Sequence, residues 1–197
     1  MRRDPFEQAF PSGRCLEPPI PRRVGDIDWT CWRARDLATL VFVVHDGEVL
    51  LIRKKRGLGA GKINGPGGRV EPGESVEACA IREAQEELLI TPTGLEHSGE
   101  NLFQFVDGYS IHVHVFRASG FSGMPTETDE AVPLWVPLQA VPYDEMWEDD
   151  RLWLPLMFER RWFVGRYVFD ADEMVDHEID VLSPPSGPNG DARTRKP

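Results

Sequence analysis

Apolar and polar residues follow a regular pattern along the middle of the chain. LATLVFVV (37–44) and EVLLIRKK (48–55) are apolar runs, and the His45-Asp46-Gly47 stretch between them is typical of a hairpin turn. NLFQFV (101–106) and SIHVHVFRA (110–118) alternate between apolar and polar positions. The pattern therefore predicts two strand pairs in this part of the chain.

Helices are predicted before and after the second strand pair. A glycine-rich segment, RGLGAGKINGPGGRV (56–70), leads to a helix expected from about Ser75 to Leu88. Small apolar residues of this helix can pack closely on a sheet: Ala78, Ala80, Ile81 and Ala84. RLWLPLMFER (151–160) predicts a second helix, kinked or delayed by Pro155.

Three further strands complete the regular body of the sequence. LWVPL (134–138) predicts a short strand. RWFVGRYVFD (161–170) and EMVDHEIDVL (173–182) predict a final hairpin.

The two ends of the chain differ from this body in composition. Residues 1–35 carry five prolines without clear periodicity and predict an extended arm, whose Trp29 and Trp32 we expect to dock on the body. Residues 183–197 consist of turn formers and charged residues and predict a disordered tail. The 197 residues thus predict one domain, at 36–182, between an arm and a tail.

Charge is spread unevenly over these parts. Residues 1–35 hold 7 Arg against 5 acidic residues, and residues 183–197 hold 3 basic residues against 1 acidic residue. Of the 22 basic and 33 acidic residues of the chain, 12 and 27 remain for residues 36–182, a net charge of −15. So acidic a body argues against binding to a nucleic-acid backbone. A phosphate ligand would need metal ions between the two negative partners.

Membrane insertion and cysteine chemistry are not indicated. No apolar run approaches the roughly 18 residues of a membrane span, and no apolar stretch follows the basic start of the chain. Cys15, Cys31 and Cys79 form no CxxC pair. We therefore expect free thiols in a reducing cytoplasm rather than a disulfide framework or a zinc site.

Three glutamates crowd onto one turn of the first predicted helix. Glu83 and Glu87 are one helical turn apart, so their carboxylates converge on one face, with Glu86 beside them. Such a cluster, taken alone, usually marks an acidic solvated face, since like charges at this spacing repel. Here Gly68, Glu74 and Arg82 precede it at fixed intervals. The combination favours a metal site.

The intervals between these residues resemble those of a known sequence motif. The spacing resembles the Nudix box, G-x5-E-x7-R-E-U-x-E-E-x-G-U with U aliphatic, at Gly68, Glu74, Arg82, Glu83, Glu86 and Glu87. The box implies a loop–helix–loop motif that binds divalent cations and hydrolyses nucleoside diphosphates linked to another group. Leu89 replaces the late glycine and Ala84 the first aliphatic residue. Because that glycine normally ends the helix in a left-handed conformation, we expect Leu89 to extend the helix or to change how it ends.

The chemistry of the box follows from its residue types. Carboxylate oxygens suit Mg²⁺, with Mn²⁺ as an alternative, and bound ions polarise phosphoryl oxygens and activate water. The expected catalytic residues are Arg82, Glu83, Glu86 and Glu87, of which Arg82 orients the carboxylates through charge-assisted hydrogen bonds. The expected metal ligands are Gly67, Glu83, Glu86, Glu87 and Glu130. The sequence leaves open whether a glutamate or a metal-bound water is the general base.

The resemblance extends over nearly the whole body. From about Leu37 to Leu182 the chain is similar to the MutT-homologue group, the oxidised purine nucleoside triphosphatases. This implies the α/β class with the Nudix α/β/α sandwich, a mixed sheet between helices. It also implies a sanitiser of the nucleotide pool. We expect a cytoplasmic monomer without nucleic-acid or membrane partners, and the sequence leaves open whether residues 1–35 mediate dimerisation. Its substrates would be 8-oxo-dGTP and 2-hydroxy-dATP, which it would cleave to monophosphate and pyrophosphate.

The same resemblance implies a base pocket. The expected substrate-binding residues are Thr39, Lys54, Asn64, Phe103, Trp147, Asp149 and Asp150. Asn64 would bond the purine edge, Trp147 would stack on the base, and Thr39 and Lys54 would lie near the sugar and phosphates. Adjacent aspartates in a pocket are coupled, so one can stay protonated and donate while the other accepts. Such a pair would read both oxo-guanine and oxo-adenine edges.

Several positions keep other functions open. Leu58, Pro66 and Glu148 replace two aromatic residues and a proline of the group, which affects base selectivity more than catalysis. A Nudix enzyme acting on ADP-ribose or a dinucleoside polyphosphate and a non-catalytic nucleotide-sensing module are the alternatives. His112 and His114, at alternate strand positions, are expected to be sheet-face residues near the pocket rather than a metal pair.

Overall fold

A mixed sheet lies at the centre of the computed structural model, which describes residues 20–183. Its strands are β1 (Asp36–His45), β2 (Glu48–Lys54), β3 (Ile63–Asn64), β4 (Ile90–Phe105), β5 (Ser110–Gly123), β6 (Ala131–Pro137), β7 (Trp162–Asp170) and β8 (Glu173–Leu182). The α-helices of this part of the chain are α1 (Val76–Leu88) and α2 (Asp150–Phe158). The predictions for residues 1–19 and 184–197 lie outside the described residues.

Parallel and antiparallel pairs are combined in this sheet. The order of neighbours is β3-β2-β1-β5-β4-β7-β8, and β6 pairs with β2 as well. The pairs β1–β5 and β4–β7 are parallel and the others antiparallel, so the predicted mixed sheet is confirmed.

Alternation along β1 explains why both faces of the sheet carry a helix. Val41 and Val43 point to the face that packs on α1, where Ala80 and Ala84 are fully buried. Phe42 points to the other face, where it meets residues of α2. Successive side chains of a strand alternate in direction, so a strand apolar on both faces is buried between two layers. The predicted α/β/α sandwich is confirmed, although Ala78, expected on the packed side of α1, is exposed.

Helix α1 begins and ends with local hydrogen bonds. The Ser75 hydroxyl accepts a bond of 3.1 Å from the Ala78 backbone N–H, a side-chain N-cap. At the other end Leu89 lies in the left-handed region, with φ 59° and ψ 31°, and its N–H bonds to the carbonyls of Ala84 and Gln85. Leu89 therefore does not extend the helix. It takes the conformation that a glycine would take, at a cost of roughly 1–2 kcal/mol for a residue with a Cβ.

Strand β4 is much longer than the predicted 101–106 segment. It begins at Ile90, directly after α1, and pairs with β5 along its length, with a register shift between His97 and Gly99. This first half contains Pro92 and Gly94 and lacks a clean alternation, so its local sequence disfavours a strand. Pairing with β5 overrides that preference.

The segment before β1 packs on the edge of the body. The Val24 N–H donates to the Asp176 carboxylate at 2.8 Å, and the Trp32 indole N–H donates to the Gln104 side chain at 2.9 Å. The described part of the predicted arm, residues 20–35, is thus docked as expected from its tryptophans. Helix α2 includes Pro155 and begins at Asp150, so the proline does not delay it.

Cys31 and Cys79 are free thiols, and Cys15 lies outside the described residues. Among residues 20–183, no helix has the length and apolar character needed to cross a bilayer.

Candidate active site

One cleft gathers most of the predicted site residues. It has a volume of about 440 Å³ and lies against the sheet face that α2 covers. Its lining includes Thr39, Lys54, Asn64, Gly67, Glu83, Glu87, Phe103, Glu130, Trp147, Asp149 and Asp150. Arg82 and Glu86 are not part of this lining, and the Glu86 side chain is 53% exposed. The cleft is apolar at one end and rich in carboxylates at the other.

Arg82 organises the acidic side of α1. Its Nε and Nη2 donate to the two carboxylate oxygens of Glu74 at 2.8 and 2.9 Å, a bidentate pair. Its Nη1 donates to Glu83 at 2.8 Å and to Glu86 at 3.0 Å. The hydrogen bonds from Arg82 hold the pKa of Glu74 at about 2, and the hydrogen bonds to Glu74 and Glu83 in turn raise the pKa of Arg82.

Glu87 is the most buried of the box carboxylates, with 1% of the residue exposed. Lys54 on β2 donates to one of its oxygens at 3.1 Å, and the Gly67 N–H donates to the other at 2.9 Å. Burial nevertheless raises the pKa of Glu87, and burial also raises that of Glu83. Both ionised carboxylates thus lie where additional positive charge would stabilise them.

The Gly67-Gly68 pair lets the loop approach α1 closely. A Cβ on Gly68 would overlap the Glu83 carboxylate, and a Cβ on Gly67 would overlap the Thr39 carbonyl. Only glycine fits where two backbones or a backbone and a carboxylate come this close. The spacing that ties Gly68 to the glutamates therefore has a steric reason.

The carboxylate oxygens at this end of the cleft suit a hard divalent cation as a ligand set. Glu130 pairs with Arg56, Glu87 pairs with Lys54, and Arg82 serves three carboxylates. Five carboxylates thus meet three basic groups, so two negative charges remain uncompensated when all are ionised. Mg²⁺ takes oxygen ligands and carries the two positive charges that this arrangement lacks.

The box carboxylates share a side of α1 but do not converge on one point. Within residues 20–183, no trio drawn from Glu83, Glu86, Glu87 and Glu130 brings its oxygens within 4.8 Å of one another. Each of these carboxylates is instead turned to a basic partner. Glu83 and Glu87 nevertheless both line the cleft, and Glu83 and Glu86 share the Arg82 Nη1 group, as expected of carboxylates on one face of the helix.

The apolar end of the cleft holds two adjacent buried aspartates. The Trp153 indole N–H donates to Asp149 at 2.8 Å, and the Trp147 backbone N–H donates to Asp150 at 3.0 Å. Burial raises the pKa of Asp149 to about 6. Burial together with the charge of Asp149 raises the pKa of Asp150 well above its ordinary value. The charge of one carboxylate therefore disfavours ionisation of the other.

Aromatic and amide groups surround the aspartates. Phe103 stacks on Tyr167 with ring centroids 4.9 Å apart, and Trp147 packs edge-on against Phe169. Asn64 lines the cleft with its side-chain oxygen accepting from the Gly65 N–H at 2.8 Å. These aromatic groups form an apolar slot of the cleft, to which Asn64 and the two aspartates contribute polar atoms, an arrangement suited to an aromatic base.

Three contacts of the cleft were not expected from the sequence. Arg56 lines the cleft and pairs with Glu130, and Lys62 lies over the Trp147 ring at 4.7 Å from its centroid. The Thr39 hydroxyl donates to Cys79 Sγ at 3.3 Å, which turns it toward α1. Arg56 and Lys62 belong to the glycine-rich segment of the sequence, but nothing in the sequence indicated their partners.

Most of the chain that forms this cleft matches a known protein family. The NUDIX domain model matches residues 34–157. The oxidized purine nucleoside triphosphate hydrolase of Danio rerio is 44% identical over 148 residues, which are 74% of this chain and 95% of the relative. The protein of the same name from Mus musculus is 39% identical over 145 residues, 73% of this chain and 93% of the relative. The solved structure of the mutator MutT protein from Bacillus halodurans has 25% identity and a TM-score of 0.66, covering 74% of this chain and 97% of that one.

The sandwich fold and a carboxylate-rich cleft beside an apolar slot define a hydrolase of nucleotides, a class that generally acts with divalent metal ions. The chain belongs to the NUDIX domain family.

Proposed function

We propose that this protein hydrolyses oxidised purine nucleoside triphosphates, among them 8-oxo-dGTP and 2-hydroxy-dATP, to the monophosphate and pyrophosphate. The observation that carries the proposal is the buried Asp149–Asp150 pair in the apolar slot. The names of the zebrafish and mouse relatives, which match most of the body, support the same substrate class.

The aspartates supply a buried acceptor and a buried donor. We assign the acceptor to Asp149, whose pKa burial raises to about 6, and the donor to Asp150, whose pKa is raised well above its ordinary value by burial and by the charge of Asp149. Stacking on Trp147 tolerates any base, whereas buried polar groups penalise a base that leaves them unpaired. Together with Asn64, the pair would therefore select for the donor and acceptor pattern of an oxidised purine.

The other end of the cleft would bind the triphosphate. Mg²⁺ bound there would polarise phosphoryl oxygens and stabilise the leaving group. Its proposed ligands are Glu83, Glu86, Glu87, Glu130 and the Gly67 carbonyl. Lys54 already contacts Glu87 and the Gly67 carbonyl, so its ammonium group would orient both of them and meet the phosphates. The Thr39 hydroxyl is turned to Cys79 and its N–H donates to the Gly68 carbonyl at 2.9 Å, so we propose that Thr39 positions the Gly67-Gly68 loop beside the phosphates.

Of the three residues that depart from the family pattern, two lie outside the lining of the cleft. Glu148 accepts from the Met174 N–H at 3.0 Å and does not line the cleft, and Pro66 does not line it either. Leu58 lines the cleft and is 56% exposed. We therefore attribute any change of base selectivity relative to the group mainly to Leu58.

The proposed setting is a cytoplasmic monomer that removes oxidised nucleotides before they are used for DNA synthesis. The acidic body, with a net charge of −15 over residues 36–182, disfavours nucleic acid as a partner and so favours a free nucleotide as the substrate.

The test is a panel of substrates at pH 7.5 with Mg²⁺: 8-oxo-dGTP, 2-hydroxy-dATP, dGTP and ADP-ribose. We expect the two oxidised triphosphates to have the highest kcat/KM and to yield pyrophosphate. Comparable or greater activity on ADP-ribose would instead favour another Nudix substrate. Binding of nucleotides without turnover of any would favour a sensing module.

A further inference from the structure

A second group of potential metal ligands lies outside the cleft. His97 and Glu100 on β4 and His114 on β5 bring one ligand atom each within 4.8 Å of one another. The His114 Nδ1 to His97 Nε2 distance is 3.2 Å, and Glu100 Oε1 lies 3.8 Å from the former atom and 3.9 Å from the latter. Among the described residues, this is the one such trio.

The trio faces away from the proposed substrate site. Ile111 and Val113 line the cleft, so the alternating residues His112 and His114 of β5 point to the opposite face of the sheet. His97 packs there against Phe116, a residue of the cluster that α1 covers. The sequence-based expectation that the two histidines lie near the pocket is therefore wrong. Any role of the trio is separate from the base and phosphate contacts.

The geometry of the trio matches a tetrahedral metal ion. Zn²⁺ binds histidine nitrogen at about 2.0–2.1 Å and carboxylate oxygen at about 2.0–2.2 Å, which places tetrahedral ligand atoms roughly 3.3–3.5 Å from one another. The three distances of 3.2, 3.8 and 3.9 Å need only small side-chain adjustments to reach this range. Two imidazoles and one carboxylate are a ligand set that Zn²⁺ uses with a water in the fourth position.

A neighbouring histidine completes the arrangement. His112 Nε2 lies 2.9 Å from the other oxygen of Glu100, where it can hold that carboxylate in place. Hydrogen bonds of this kind orient metal ligands and tune their affinity.

The site is also accessible. The side chains of His97, Glu100 and His114 are 28%, 24% and 15% exposed, so an ion can enter without unfolding of the sheet. His97 borders a surface pocket that is also lined by Arg160 and Trp162.

We propose that His97, Glu100 and His114 form a binding site for a divalent transition-metal ion, Zn²⁺ foremost, with His112 as the partner that orients Glu100. Imidazole suits Zn²⁺ and related ions, whereas Mg²⁺ prefers oxygen ligands, so this site and the proposed cleft site differ in metal preference. The bound ion joins β4 to β5 beside the register shift between His97 and Gly99. The inference does not depend on the proposed nucleotide substrate.

The experiment uses the full chain, treated with a chelator and then kept in excess Mg²⁺ to occupy oxygen-only sites. Co²⁺ is added first, because four-coordinate Co²⁺ absorbs visible light strongly while octahedral Co²⁺ does so weakly. Zn²⁺ affinity is then measured by competition with a chromophoric chelator, and X-ray absorption of the Zn²⁺ form reports imidazole ligation. We expect one tetrahedral ion per chain with two imidazole ligands.

The Zn²⁺ affinities of substituted proteins test which residues bind the ion. His97→Gln and His114→Gln should each weaken Zn²⁺ binding by more than the roughly 10–100-fold that loss of an orienting partner costs, and His112→Gln by about that amount. The control His177→Gln removes a histidine of β8 that lies outside the trio, and Glu87→Gln changes the cleft. Both should bind Zn²⁺ like the wild type.

Three results would overturn the proposal. They are an octahedral Co²⁺ spectrum of the wild type, a Zn²⁺ form without imidazole ligation, and unchanged affinity in His114→Gln. The wild-type spectra decide the matter even where a histidine variant fails to fold, which circular dichroism of each variant reports.

Discussion

Asp149 and Asp150 are adjacent in the chain, yet two different tryptophans hold their carboxylates. Asp149 accepts from the indole N–H of Trp153, one helical turn further along, and Asp150 accepts from the backbone N–H of Trp147. Both residues are nearly inaccessible, with 3% and 2% of their surface exposed. The pair therefore combines fixed geometry with unequal affinities for protons.

This pair predicts a change of base preference on substitution. Asp149→Asn removes the charged acceptor, whereas Asp150→Asn keeps a donor at the same place. Since a hydrogen bond to a charged group contributes about 1.5–3 kcal/mol, we expect Asp149→Asn to lose roughly 10–100-fold in kcat/KM on the base that needs the acceptor. The ratio of kcat/KM for 8-oxo-dGTP and 2-hydroxy-dATP is measured in both variants. Equal losses on both substrates in both variants would refute the donor–acceptor assignment.

The raised pKa of Asp149 also predicts how stability depends on pH. The folded protein holds this proton up to about pH 6, while the unfolded chain releases it near pH 4. The stabilising contribution is therefore present at low pH and is lost as the pH rises through 6. Asp149→Asn should raise the free energy of unfolding on the order of 1–3 kcal/mol more at pH 7.5 than at pH 4.

Chemical denaturation of wild type and Asp149→Asn at the two pH values measures this difference. Glu178→Gln, which changes an exposed acid of β8, serves as the control and should show no such gain. A constant difference between Asp149→Asn and wild type at both pH values would contradict the assigned pKa.

Replacing Leu89 by glycine is expected to stabilise the protein. It is 57% exposed and holds φ at 59°, so its side chain contributes little packing while its Cβ strains the backbone. Leu89→Gly removes roughly 1–2 kcal/mol of strain and adds about 0.5–1 kcal/mol of chain entropy to the unfolded state. We expect a net gain of about 0.5–1 kcal/mol in thermal or chemical unfolding. Leu89→Ala keeps the Cβ and should show no gain, and a gain in both variants would exclude backbone strain as the cause.

Replacing Glu87 by glutamine is expected to cause a large loss of activity with little loss of structure. Glu87→Gln keeps an acceptor for the Gly67 N–H but removes the negative charge that pairs with Lys54. We expect kcat to fall on the order of 10²–10⁴-fold, the range typical of lost acid–base or metal-ligand function. Glu77→Gln, an exposed glutamate in the first turn of the same helix, is the matched control and should retain wild-type kcat. Full activity in Glu87→Gln would remove Glu87 from the catalytic machinery.

The sequence predicts most of the body because its signals are local. Successive side chains of the apolar runs at 37–44 and 48–55 point to opposite faces of the sheet and so contribute to two core clusters. The interval from Gly68 to Glu87 brings the loop and the helix together at a point where a Cβ does not fit. Each of these signals lies within a few turns or one hairpin. Local pattern therefore suffices for the sheet core, for α1 and for the side of the cleft that α1 provides.

Long-range pairing accounts for what the sequence does not predict. The first half of β4 becomes a strand only because β5 pairs with it, and this pairing carries His97 to His114 from 17 positions away. The partners of Glu130 and Glu87, Arg56 and Lys54, likewise come from another strand or loop. Leu89 shows the same limit, since its left-handed conformation is imposed by the turn into β4 and not by its own preference.

The most direct test of the proposed function is a competition in one reaction. Equal concentrations of 8-oxo-dGTP and dGTP are mixed with the protein and Mg²⁺, and the nucleotides and pyrophosphate are followed by chromatography. The ratio of the two consumption rates gives the ratio of kcat/KM without separate kinetic constants. We predict that 8-oxo-dGTP disappears first, with formation of its monophosphate and pyrophosphate. Equal consumption of both nucleotides, or faster loss of dGTP, would contradict it.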